Sequence, residues 1–149
     1  MNEMVLIMAA AAAVASGTPL VLAALGGLVT ERSGVVNISI EGMMLVGAVS
    51  AFLTAQATSS IPLALFAGML AAAALALVHA FLCVTMKANQ IVAGLAVVIF
   101  GTGIATFFGK SVEGQAIAVR ITQYKVPLLS DIPVIGRILF QHDPMVYAS

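Results

Sequence analysis

Three stretches of this chain carry no charged residue: Met4 to Thr30, Gly42 to Met86, and Ala88 to Gly109. Nothing else in the sequence restricts the fold so severely. A soluble domain spends roughly a quarter of its residues on charge, whereas here charged residues are 8% of the 149 and apolar ones 62%. That leaves too little polarity to cover a surface in water, so the chain reads as an all-α membrane protein. In hydrocarbon a helix can satisfy every backbone N–H and C=O within its own segment.

The lengths of the uncharged runs count the spans, because roughly 20 apolar residues cross a bilayer core. The first run, of 27 residues, supplies one span at about 4–29. The second, of 45 residues, would make a helix of about 68 Å, twice the hydrocarbon thickness. It must fold back on itself, and Thr58-Ser59-Ser60-Ile61-Pro62 is the place, since polar residues there precede a proline tolerated in a first helical turn. This gives spans at about 42–58 and 62–85. The third run, of 22 residues, gives a span at about 90–109.

Beyond Lys110 charges recur, and Pro127, Pro133 and Pro144 interrupt any long helix. Residues 110–143 are expected to form an aqueous-side loop, with apolar turns such as Ile132 to Phe140 suited to the bilayer surface. Residues 145–149 resume apolar character, as the start of a further span. A cleaved signal peptide is the competing reading of the amino terminus, because Ala13-Val14-Ala15 before Ser16 mimics a cleavage site. Met1-Asn2-Glu3 opposes it by lacking a basic residue, and the apolar run continues well past Ser16.

Small residues recur inside the spans. Lipid gives helices no hydrophobic drive to associate, so close backbone approach must supply it. Ala64, Gly68, Ala72, Ala76 and Ala80 fall at every fourth position. The row drifts by about 40° per step around a straight helix, which suits a crossing neighbour; the alternative is chance spacing of a common residue. Gly47, Ala51 and Ala55 repeat the device, as do Gly101, Ala105 and Gly109.

Two polar islands interrupt the apolar text. Glu31-Arg32-Ser33-Gly34-Val35-Val36-Asn37-Ile38-Ser39-Ile40-Glu41-Gly42 sets charges and amides among β-branched residues. Gly26-Gly27 and Gly34 permit breaks in the backbone, and an interrupted helix at membrane depth is tolerated where it lines a watery cavity. An interfacial turn with Glu31 and Arg32 among the headgroups is the other reading. Lys87-Ala88-Asn89-Gln90 forms the second island, a short turn whose lysine can snorkel. His79 stands inside the third span, facing a cavity or, as lone histidines more often do, bonding a neighbouring helix. Cys83 is read as a small hydrophobe.

Several classes of function are excluded. Six basic and six acidic residues cancel with no basic block among them, so nothing here suits a nucleic-acid backbone. His142 beside Asp143 is loop surface, and no ligand cluster accompanies it to hold a metal. The chain has no GxSxG, HExxH or GxxxxGK[ST] pattern, so neither nucleophilic chemistry nor ATP hydrolysis is expected of it. No cofactor is implied.

The segment LAALGGLVTERSGVVNISIEGMMLVGA, residues 22–48, resembles the membrane subunits of ATP-binding cassette (ABC) importers for nucleosides and simple sugars, within the superfamily that includes branched-chain amino-acid and ribose permeases. Glu31, Arg32, Gly34, Val35, Val36, Asn37, Ile38, Glu41, Gly42, Met43 and Met44 carry the likeness. VHAFLCVTMKANQIVAGLAV at 78–97 is similar to the family's second signature, and IPVIGRILF at 132–140 is similar too. The family is longer and carries a coupling segment that docks on the ATPase subunit; nothing here corresponds to it, so an amino-terminal half is expected.

The resemblance implies a multi-pass protein of a bacterial inner (plasma) membrane. Its implied partners are a separate ATP-binding subunit, a second permease subunit, an extracytoplasmic substrate-binding lipoprotein and membrane lipid. It also implies an amino terminus outside, with Arg32 and Lys87 inside and residues 110–143 outside. Counting charge disagrees, since Lys110, Arg120, Lys125 and Arg137 lie in that loop. Asn37, Ser39, Glu41, Asn89 and Gln90 are the candidates to line or gate the solute path, because amides and carboxylates match hydroxyls that would otherwise be desolvated unpaired. A branched-chain amino-acid permease is the nearest alternative. A small helical scaffold or a non-functional permease fragment is the alternative of another kind.

Overall fold

The computed structural model describes residues 3–116, 124–125, 141–142 and 146. Ile132–Phe140, Ser130, Asp143 and most of the expected loop and further span lie outside them. The chain divides into two units, Gly26–Arg120, and Met1–Leu25 with Ile121–Ser149. The boundary falls within the first helix.

Four helices are long and apolar enough to cross a membrane: α1 (Glu3–Arg32), α2 (Ile40–Thr58), α3 (Ile61–Ala80) and α4 (Gln90–Gly109). The all-α membrane fold expected from the uncharged runs is therefore the observed one. The remaining described pairing is a two-residue antiparallel bridge, β1 (Tyr124–Lys125) with β2 (Gln141–His142), Tyr124 opposite His142.

In the unit that begins at Met1, α1 runs through Pro19 without ending. Proline withholds one N–H from the ladder, and the neighbouring Thr18 hydroxyl donates to the Val14 carbonyl at 3.3 Å.

In the other unit, α1 also runs unbroken through Gly26-Gly27, where the sequence had allowed a break. It ends instead in a glycine-terminated Schellman motif. Val35 N–H reaches the Thr30 carbonyl at 3.2 Å and Gly34 N–H reaches that of Glu31 at 2.9 Å. Gly34 sits at φ +85°, a left-handed conformation that glycine adopts without a Cβ penalty.

The α2–α3 turn forms at Ser59 (φ 52°) and Ser60, with Pro62 in the first turn of α3. After Ala80 the helix widens into a π-turn, Phe81–Thr85, closed by Met86 N–H on the Phe81 carbonyl at 3.1 Å.

Met43, Val46, Leu75 and Val97 form the core of this unit, with Ala71, Ala72, Ala76, Leu82 and Ile104 packed on it. Two crossings bring the backbones together. At the α2–α3 crossing, a Cβ on Gly68 would lie 2.8 Å from the Gly47 carbonyl oxygen. Where α2 meets α4, one on Gly101 would lie 2.8 Å from the Gly42 carbonyl oxygen. Elsewhere the helices turn large apolar groups outward: Leu77 is 71% exposed and Phe107 77%. In water this surface would be a liability; acyl chains solvate it at no such cost.

Candidate functional site

The carboxy-terminal end of α1 and the start of α2 are joined by non-helical chain at Val35–Asn37, and this stretch meets the start of α4. Gln90 makes the junction. Its side-chain Oε1 accepts from Val36 N–H at 2.7 Å, and its Nε2 donates to the Gly34 carbonyl at 3.1 Å. The two polar islands, bonded between residues 54 and 56 positions apart in sequence, are thereby one structural feature.

Each flanking helix start is organised by an asparagine. Asn89 caps α4, its Oδ1 accepting from Ile91 N–H at 3.0 Å and Val92 N–H at 3.2 Å, which satisfies two otherwise orphaned donors. Asn37 closes a turn onto Ser39: its Oδ1 accepts from Ser39 N–H at 3.0 Å and from the Ser39 hydroxyl at 2.6 Å. Among the described residues its Nδ2 has only the weak thioether acceptor of Met43, at 3.9 Å. Ser39 is the N-cap of α2 by position but makes no side-chain cap, because its hydroxyl is committed to Asn37.

Packing holds this arrangement from beneath. A Cβ on Gly94 of α4 would lie 3.1 Å from Ile38 Cβ and 3.5 Å from His79 Cε1. Glycine at that position lets Ile38 and His79 of α3 both approach α4. His79, 3% exposed, contacts the thiol of Cys83 at 3.6 Å from Nε2. Sequence reasoning expected a cavity or a neighbouring helix for His79. The observed partner is one turn further along the same run, as spacing of four residues allows.

The predicted site residues differ in their surroundings. Ser39 is fully buried, Asn37 and Gln90 are half-buried, and Asn89 and Glu41 are exposed. Among the described residues no hydrogen bond or ion pair engages the Glu41 carboxylate, in the first turn of α2. Glu31 and Arg32 close α1 and are exposed. Along α3, Ala64 and Gly68 are buried, Ala72 and Ala76 half-buried, and Ala80 exposed. No group of three or more His, Cys, Asp or Glu that could hold a metal occurs among the described residues.

Two polar turns joined through Gln90, in a chain with four helices long and apolar enough to cross a membrane, define a multi-pass membrane protein. Residues 9–133 match the family described as the branched-chain amino acid transport system permease component, and the chain belongs to that family. It is 41% identical over 134 residues to a Haloferax volcanii protein that carries the name of a glucose ABC transporter permease; the match covers 87% of this chain and 40% of that one. It is 39% identical over 132 residues to the guanosine ABC transporter permease of Bacillus subtilis, covering 82% of this chain and 41% of the relative. With the nucleoside ABC transporter permease of Lactococcus lactis it shares 35% identity over 132 residues, 83% of this chain and 42% of the relative. The chain thus spans about two fifths of the length of the curated relatives it matches. No solved structure matches it. Family and helices together make it a plasma-membrane permease component with several spans.

Proposed function

We propose that the chain forms part of the permease subunit of an ABC importer that moves a nucleoside or simple sugar across the plasma membrane by alternating access. The observation that carries this reading is the meeting of the two polar islands through Gln90, in a segment bearing the likeness to sugar and nucleoside permeases. ATP is hydrolysed on a separate subunit, a second permease subunit completes the central cavity, and an extracytoplasmic binding lipoprotein delivers the solute. Asn37, Ser39, Glu41, Asn89 and Gln90 surround the path. Glu41 brings the free carboxylate, which accepts from sugar hydroxyls, and the other four shape the break beside it.

The description of the family favours a second reading, in which the solute is a branched-chain amino acid. Uptake of labelled uridine in cells carrying the transporter, competed with unlabelled uridine, ribose and leucine, separates the two. Competition by uridine or ribose and not by leucine is expected, and Asn37→Ala and Glu41→Gln should each depress uptake. Competition by leucine alone would reassign the solute, and uptake indifferent to both substitutions would remove these residues from the path.

In this reading the amino terminus and residues 110–143 lie outside. A Ser130→Cys variant should then react with a membrane-impermeant thiol reagent on intact cells, against a Cys83→Ala background. Reaction only after lysis would invert the topology.

A further inference from the structure

We infer that Gln90 is a positioning residue whose carboxamide supplies the backbone partners that the break between α1 and α2 lacks, locking Gly34–Val36 to the start of α4. Backbone outside a helix in a membrane must find partners for its N–H and C=O groups, and Gly34–Val36 lies between the end of α1 and the start of α2. A carboxamide presents a carbonyl acceptor and an N–H donor on the same side of one plane. Gln90 uses both, on the N–H of Val36 and the carbonyl of Gly34, two residues apart on the same chain.

Three further observations make the clamp rigid at its root. Gln90 is the first residue of α4, immediately after the Asn89 cap, so its backbone is held by a satisfied helix start. Gly34 is held in its left-handed conformation by the end of α1. Ile38, on the far side of the break, is seated on Gly94, one turn along α4 from Gln90. The break is therefore fixed to α4 at two levels, and it travels with the start of α4 whenever that helix moves. This functional consequence rests on the permease reading; the clamp itself does not.

Substitution by glutamate distinguishes a clamp from a solute ligand. A neutral carboxylic acid reproduces both bonds, accepting from Val36 and donating its O–H to Gly34. An ionised carboxylate only accepts, and places a negative oxygen against the Gly34 carbonyl. The test is site-resolved amide hydrogen exchange on the full chain in lipid nanodiscs without solute, corrected for intrinsic rates. Gln90→Ala should lower the protection of Val36 N–H by about fivefold, as loss of one partly exposed hydrogen bond implies, while Val46 and Leu75 in the core keep theirs. Gln90→Glu should keep Val36 protected in acid, below about pH 4, where its protonated carboxyl supplies both bonds, whereas Gln90→Leu, which has no carbonyl oxygen, should lose protection as Gln90→Ala does. Unchanged Val36 protection in Gln90→Ala and Gln90→Leu, or its loss in Gln90→Glu in acid, overturns the clamp. If Gln90→Ala also exposes the core, the comparison of Gln90→Leu with Gln90→Glu in acid decides alone. No solute is present in the measurement, so failure of the uptake experiment and failure of this one remain separate results.

Discussion

The helix crossings and the polar break solve the same problem by opposite means. At Gly42–Gly101 and Gly47–Gly68 two backbones come together because side chains are absent. At Gly34–Val36 the backbone is held because a side chain is present and imitates a backbone. The first device is non-directional and suits surfaces that only need to pack. The second uses directed hydrogen bonds, which leave few alternative arrangements, and it occurs where the sequence is polar. In a bilayer, packing that needs no polarity therefore builds the frame, and polarity is kept where one conformation must be specified.

The largest effect belongs to the frame. Gly101→Val places branched carbon against the Gly42 backbone, which cannot rotate away as a side-chain tip would. A cost of about 3 kcal/mol is expected, the upper end for overpacking, read as a shift in reversible unfolding in mixed micelles. Stability equal to wild type would mean that the two helices separate easily, and the contrast with the break would lose its first half.

Next comes the break. Asn37→Ala removes the acceptor shared by the Ser39 amide and hydroxyl and leaves that hydroxyl buried without it. About 2 kcal/mol is expected from stranding a buried polar group. The companion Asn37→Ala, Ser39→Ala double variant should recover part of it, since the stranded hydroxyl is gone. A double variant no better than the single would show that Asn37 acts through something other than Ser39. Asn89→Ala, which removes only an exposed helix cap, should cost about 1 kcal/mol. A larger loss than that of Asn37→Ala would reverse the ranking of buried over exposed asparagines.

The frame was legible and the break only in outline, for physical reasons. Run length is a one-dimensional quantity, so the uncharged stretches disclosed the number of helices, and the polar turn before Pro62 disclosed where the long run divides. Polarity likewise marked Asn37, Ser39, Asn89 and Gln90 as unusual. It did not disclose what they bond, because the Gln90 amide meets backbone groups more than fifty residues away, and side-chain composition carries no trace of backbone partners. The Asn89 cap has a local signature, a capping residue directly before an apolar run, which the expectation of a short turn at Lys87–Gln90 does not contain. Gly26-Gly27 misled as a site for a break because glycine permits a left-handed bend without requiring one. The π-turn at Phe81–Thr85 had no signature at all, since a widened turn arises from what the helix packs against.

The smallest prediction has the opposite sign and tests whether close approach, rather than glycine as such, matters at the crossings. A Cβ on Gly103, which shares α4 with Gly101, would meet nothing within 4 Å. There glycine contributes only its conformational freedom, which an interior helical position loses on folding at a cost of roughly 0.5–1 kcal/mol relative to alanine. Gly103→Ala should therefore stabilise the chain by about that amount in the same unfolding measurement that Gly101→Val fails. The two positions share a helix, a residue type and an apolar context, and differ in whether a backbone lies opposite. If both substitutions destabilised alike, the crossing at Gly42–Gly101 would hold no special place, and α4 would be sensitive to glycine loss along its whole length.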